Sequence, residues 1–309
     1  MNRRDSLVGV GLLPATFGSR ASAGKVVTLP RHTSSQDPQL AYVADLVRLA
    51  YSKLGESIQL RFALLEMQQS RSLAELLTSQ SSFDLMWSVT NQEREQSGLR
   101  VIRVPIDRGL MGWRLLMVRA ADLPKWQDVK SLADLRRFVA GQGHDWPDTA
   151  ILKANNLPVV TSTDYAALFR MLKVGRFDYF PRSIMEADSE LAGRRHPELA
   201  IVPDLMICYP TATYLFTSPS KEELAGDLER GLQAAAADGS FQRLFRQYFG
   251  DLIGAHPVRG GRVFWLQNPL LPPETAADRL DLRKVCKTPF VARESVPSGV
   301  LFLEAVARA

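Results

Sequence analysis

The chain has 309 residues, of which 46% are hydrophobic and 23% charged, a balance that excludes disordered, collagen-like and disulfide-framework classes. Its net charge is +5, and the pairs Arg3-Arg4, Arg136-Arg137 and Arg194-Arg195 lie far apart in sequence, so there is no concentrated basic stripe of the kind that binds nucleic acid. His32, His144, His196 and His256 have no metal-ligand spacing, Cys208 and Cys286 form no CxxC pair, and no P-loop, nucleophile elbow or complete dinucleotide fingerprint is present, so neither a cofactor nor an enzyme is expected.

Residues 1–23 read as a cleavable export signal. Arg3 and Arg4 supply the positive start, residues 7–13 an apolar run too short to span a bilayer, and Ala21-Ser22-Ala23 the small residues before Gly24. Arg3-Arg4 followed by Leu7 is a partial match to a twin-arginine signal. The expected location is therefore the periplasm, where Cys208 and Cys286 are open to pairing.

Strands and helices then alternate. Residues 26–30 read as strand, 39–54 as a helix with apolar spacing closed by Gly55, 58–64 as strand, 70–79 as helix and 83–89 as strand. Residues 101–118 are strand-rich and broken by Gly109 and Gly112. A second alternating unit runs from 132 to 202, with its helix at 163–172 capped by Ser162 or Thr163. A strand at 214–217 and helices at 222–237 and 241–249 follow, the last ended by Gly250. Such alternation predicts α/β layers with largely parallel sheets.

Three short motifs stand in a telling order: Ser88-Val89-Thr90 followed by Arg94, Gly175-Arg176-Phe177-Asp178, and Asp238-Gly239-Ser240 with Tyr248-Phe249-Gly250. In that order they resemble the periplasmic solute-binding proteins of the polar-amino-acid class, over residues 25–250. The resemblance implies a type II two-lobed architecture, each lobe a mostly parallel sheet with flanking helices, joined by two hinge strands. It places the first lobe at 24–113 and 216–250, the second at 114–215, and a C-terminal extension at 251–309 packed partly on the first lobe.

The residues and the resemblance point to one site. Ser88 and Thr90 follow an apolar strand, at the carboxyl end where open α/β sheets bind ligands. Arg94 is the expected anion clamp, because its planar fork fits a carboxylate; the competing reading pairs it with Glu93 or Glu95 at a helix start. Gly143 and His144 lie in a glycine-bearing turn whose backbone N–H groups are expected to cradle the ligand from the second lobe, and Trp113 is a candidate stacking surface. The family's acidic residue after the Gly-Arg-x-Asp strand is replaced here by Arg182 or Ser183. Either the ligand lacks an ordinary amino group, or Asp145 or Glu186 holds it, or the protein no longer binds amino acids. With Arg182 in the pocket, the expectation is a site rich in positive charge.

The expected function is binding of a small carboxylate-bearing solute for ABC-type uptake by a monomer that hands it to a membrane permease. A sensory role at a membrane receptor, a decayed pocket and a periplasmic dehydratase on the same scaffold are the alternatives.

Overall fold

The computed structural model describes residues 25–32, 38–65, 67–192, 196–256 and 262–277. The expected export signal at residues 1–23, Cys286 and residues 278–309 lie outside these described residues.

In the first lobe, β1 (Lys25–His32) and β2 (Ile58–Leu65) pair in parallel, joined through α1 (Pro38–Lys53). The helix forms because Val43, Leu46, Val47 and Ala50 fall on one face, and all four are buried. Next come α2 (Gln69–Glu75), β3 (Leu85–Val89), α3 (Gln92–Gln96) and β4 (Arg100–Ile102). The chain then crosses, through a 3₁₀ turn at Leu110–Gly112, into β5 (Trp113–Arg119).

The second lobe continues with a 3₁₀ helix, Ala120–Asp128, that the sequence pattern does not anticipate, and with α4 (Leu132–Leu135), β6 (Ala140–Gly143) and α5 (Pro147–Ala154). β7 (Val159–Ser162), α6 (Tyr165–Lys173), β8 (Tyr179–Ser183), α7 (Ala187–Leu191) and β9 (Leu199–Cys208) complete it. The chain returns as β10 (Thr213–Thr217) and ends its first-lobe course with α8 (Glu222–Ala237) and α9 (Ser240–Ala255). In each lobe the strand that follows a crossing is the antiparallel one: β10 lies between β3 and β4, and β5 between β9 and β8. Six consecutive residues of β5 are buried, as a strand covered on both faces requires.

Two helix ends differ from the sequence expectation. The cap of α6 is Asp164, whose side chain accepts the Ala166 N–H at 2.8 Å, not Ser162 or Thr163. Ser162 is still paired with Gly143 in the sheet and cannot adopt the cap role. Gly250 does not end α9: Phe249 packs edge-on against Tyr42 at 4.8 Å, and His256 anchors the far end on Asp188 at 2.8 Å. The Asp-Gly-Ser motif is the α8–α9 corner. Asp238 accepts the Ser240 N–H at 2.8 Å and its hydroxyl at 2.6 Å, and holds Lys53 of α1 at 2.6 Å.

The two crossings are fastened to each other. The buried Asp107 carboxylate accepts the N–H of Met111 at 2.9 Å and of Thr213 at 2.9 Å, and Ile106 donates to the Thr213 carbonyl at 3.0 Å. Gly112 is required here by close approach, since a Cβ would stand 2.0 Å from the Tyr209 carbonyl oxygen. Gly112→Ala must therefore push the crossings apart, and is expected to cost about 3 kcal/mol, at the upper end for overpacking. Urea unfolding checks this; a variant as stable as the parent would mean that the crossings yield freely.

From Arg262 the chain lies on the second lobe and then passes back to the first. β11 (Val263–Trp265) adds in parallel to β9, extending the second sheet. Gln267 then exchanges hydrogen bonds with Asn155, and Asn268 donates to the Pro210 carbonyl at 2.9 Å. The Leu270 carbonyl accepts the N–H of Gln92 on α3 at 3.2 Å. α10 (Pro273–Ala277) brings Thr275 against Tyr214 at 3.3 Å and Glu95 at 3.4 Å in the first lobe. Among the described residues, no helix is long and apolar enough to cross a membrane.

Candidate ligand-binding cleft

On the first lobe the carboxyl end of β3 and the start of α3 make one unit. Asn91 caps α3 by accepting the Arg94 N–H at 2.8 Å. This turns the Arg94 side chain back to the strand end, where it donates to Ser88 Oγ at 2.6 Å, the Val89 carbonyl at 2.5 Å and Gln69 Oε1 at 2.7 Å. All three acceptors are neutral. Arg94 is only 8% exposed, and among the described residues no carboxylate lies within ion-pair distance of it. Burial draws its guanidinium down to about 10, with Asp145 and Asp148 pulling the other way.

Ser88 and Arg94 thus meet as expected, while Thr90 does not join them. Its hydroxyl donates to Glu95 Oε1 at 2.5 Å, away from the guanidinium, and Glu95 in turn pairs with Arg103. Neither Glu93 nor Glu95 forms an ion pair with Arg94.

On the second lobe, Gly143 ends β6 beneath the Trp146 ring, which a Cβ would meet at 2.5 Å. The expected anion cradle is largely used up by the fold itself. The His144 N–H donates to the Ser162 carbonyl at 3.1 Å and the Trp146 N–H to Gly143 at 3.3 Å, and the His144 ring is half-exposed. What reaches across is Asp145, whose Oδ2 accepts both the Ser70 N–H at 3.1 Å and the Ser70 hydroxyl at 2.8 Å. Gln68 makes a second bridge, to the Thr163 carbonyl at 2.9 Å.

Arg182 departs most from expectation. It is buried, but its charge is already answered by Glu190 at 2.6 Å and Glu186 at 3.1 Å, and its guanidinium lies among Phe180, Trp146 and Tyr165 at 4.8, 5.0 and 5.6 Å. A guanidinium satisfied in this way is not an anion clamp. Burial raises the Glu186 carboxyl, against the opposing pull of Arg182. Trp113 is likewise no stacking surface: it is 1% exposed in the core, and its carbonyl accepts the Ile184 N–H at 2.9 Å.

A third buried cation, Arg114, is not legible in the sequence. It pairs with Asp148, faces Glu186 at 3.6 Å, and lies over the Tyr209 ring at 5.7 Å, while Tyr209 donates its hydroxyl to Asp148. The cleft therefore holds Arg94, Arg114 and Arg182 against Asp145, Asp148, Glu186 and Glu190. Among these groups positive charge is not in excess.

No family model and no curated protein matches this chain. Solved structures do. An ancestral arginine-binding protein bound to arginine matches with 15% identity and a TM-score of 0.52, covering 73% of this chain and 98% of that one. A periplasmic binding protein of an arginine transport system from Legionella pneumophila matches with 14% identity and a TM-score of 0.53, covering 73% and 100%. The VFT2 domain of Bordetella pertussis BvgS, as a double mutant, matches with 17% identity and a TM-score of 0.53, covering 72% and 93%. At these identities the likeness is one of fold, and the fold is the two-lobed, type II architecture of the periplasmic binding proteins.

Proposed function

We propose that this chain binds a small zwitterionic solute, an amino acid or close analogue, between its lobes outside the cytoplasm and presents it to a membrane permease. The observation that carries this reading is Arg94: a buried guanidinium held by neutral acceptors alone, facing the carboxylates of the second lobe. An unanswered buried charge is costly, and a ligand carboxylate bound bidentately beside Ser88 removes that cost. Asp145, fixed through Oδ2 to Ser70, has its Oδ1 3.8 Å from His144 Nδ1, too far for a hydrogen bond, and that oxygen would receive an ammonium group. The arginine-binding proteins among the structural neighbours bind ligands of this class. Ligand bridging the two halves would favour the closed form.

A decayed pocket is the second reading, favoured by the direct Asp145–Ser70 and Gln68–Thr163 bridges, in which protein groups themselves join the lobes. Thermal unfolding against amino acids and their deaminated acids separates the two. A true ligand at about 100 times its dissociation constant adds roughly 2.7 kcal/mol, a shift of several degrees. A saturable shift with amino acids but not with the deaminated acids is expected; no shift across the panel would leave the decayed pocket.

A further inference from the structure

The first crossing carries a second arginine with an unanswered charge. Arg108 is 4% exposed and sits in the left-handed region, at φ 52°. Its Nε and Nη1 are buried and, among the described residues, have no hydrogen-bond partner. The adjacent Asp107 does not answer it, because that carboxylate is committed to the backbone N–H groups of Gly109, Met111 and Thr213. The guanidinium lies instead over the rings of Phe241 and Phe245 on α9, at 5.9 and 5.8 Å. Arg246, the residue after Phe245 on that helix, adds a second positive charge, and among the described residues its buried Nε also has no hydrogen-bond partner. Among the described residues, neither arginine has a carboxylate within ion-pair distance.

Aromatic faces attract a cation but accept none of its hydrogen bonds in the plane of the fork. Two like charges held together in a partly desolvated place are unfavourable unless an anion lies between them. A left-handed non-glycine residue at the same point is a further strain of the kind that gathers at functional sites.

We propose that Arg108 and Arg246 form a binding site for a small tetrahedral oxyanion, of the phosphate or sulfate class, between the first crossing and α9. Guanidinium forks match the paired oxygens of such an anion, and the neighbouring Gln242 amide can turn to donate a further hydrogen bond. The site is separate from the cleft: Arg108 packs against α9, whereas Arg94 belongs to the β3 end and α2. An anion there would pin the first crossing to α9 and so stiffen the connection on which the lobes turn. This proposal does not depend on the solute-binding reading.

Thermal unfolding of the purified protein, titrated with sodium phosphate and sodium sulfate against sodium chloride at matched ionic strength, tests it. The expected result is a saturable rise of a few degrees with at least one oxyanion and none with chloride. The rise should vanish in Arg108→Gln, weaken in Arg246→Gln and persist in Arg94→Ala. A rise that never saturates, that chloride reproduces or that survives in Arg108→Gln overturns the site. Loss of the rise in Arg94→Ala would place the anion in the cleft and overturn it equally. Should Arg108→Gln fail to fold, Arg246→Gln decides alone, an unchanged rise counting against the proposal.

Discussion

Arg182→Ala is expected to lose about 3–5 kcal/mol of stability, the cost of breaking a buried ion pair from one side. Native domains have only about 5–15 kcal/mol in all, so this substitution threatens folding itself. The reason is local. Glu190 receives both Nε and Nη2 of Arg182, Glu186 receives Nη2 as well, and removing the guanidinium takes the shared counter-charge from two largely buried carboxylates, leaving Glu190 the Tyr165 hydroxyl and Glu186 the Ser183 N–H and the more distant Arg114. Burial already raises Glu186 while the arginine is present. Without it, the Glu186 carboxyl loses the opposing pull of the arginine and should titrate further above its unfolded value. The variant should then be least impaired below an ordinary glutamate value of about 4.3 and lose stability as pH rises from there through the raised folded value of Glu186. Urea unfolding across that range checks the sign. Wild-type stability at neutral pH would show that the ion pair contributes nothing.

Arg94→Met should behave in the opposite way. Its acceptors are neutral, so the apolar replacement strands no buried charge, and the ligand-free protein should unfold close to where the parent does. Affinity should collapse. Truncating a buried, hydrogen-bonded charge pair costs about 2–5 kcal/mol, or roughly thirty-fold to several-thousand-fold in dissociation constant. Arg94→Lys should recover little, because an ammonium lacks the planar fork. Titration calorimetry with the solute that stabilises the parent makes the comparison. Undiminished affinity in Arg94→Met would remove Arg94 from the site.

The alternation of strands and helices is plain in the sequence because each element carries its own period, as the buried stripe of α1 and the continuously buried run of β5 illustrate. The motif residues are also legible, since they do local backbone work. Asp178 accepts the Val139 N–H at 2.7 Å, and Asp238 builds the corner between α8 and α9. Pairing across the cleft is harder to read. Arg182 has the right position for a ligand residue, but Glu186 and Glu190 follow it at steps of four, and that spacing was the available signal that its charge is spent internally. Nothing local marks Arg114, Asp148 and Tyr209 as partners, because they come from three elements distant in sequence. Thr90 was misplaced for a simpler reason: a residue at a strand end can turn either way, and Glu95 captures its hydroxyl.

The C-terminal return from β11 to the first lobe bears on time rather than on equilibrium. It fastens at the C-terminal end of α5, through Asn155, and at the start of α3, through Gln92. α3 carries Arg94, and Asp148 lies in the first turn of α5, so both halves of the cleft are held from behind by one segment. Solute leaving the cleft would need those remote hydrogen bonds to stretch or break as the halves part. Under the proposed function, escape would have a barrier of its own, set by residues that do not touch the solute, and substitutions in this segment would be expected to change residence time while the affinity-determining groups stay as they are.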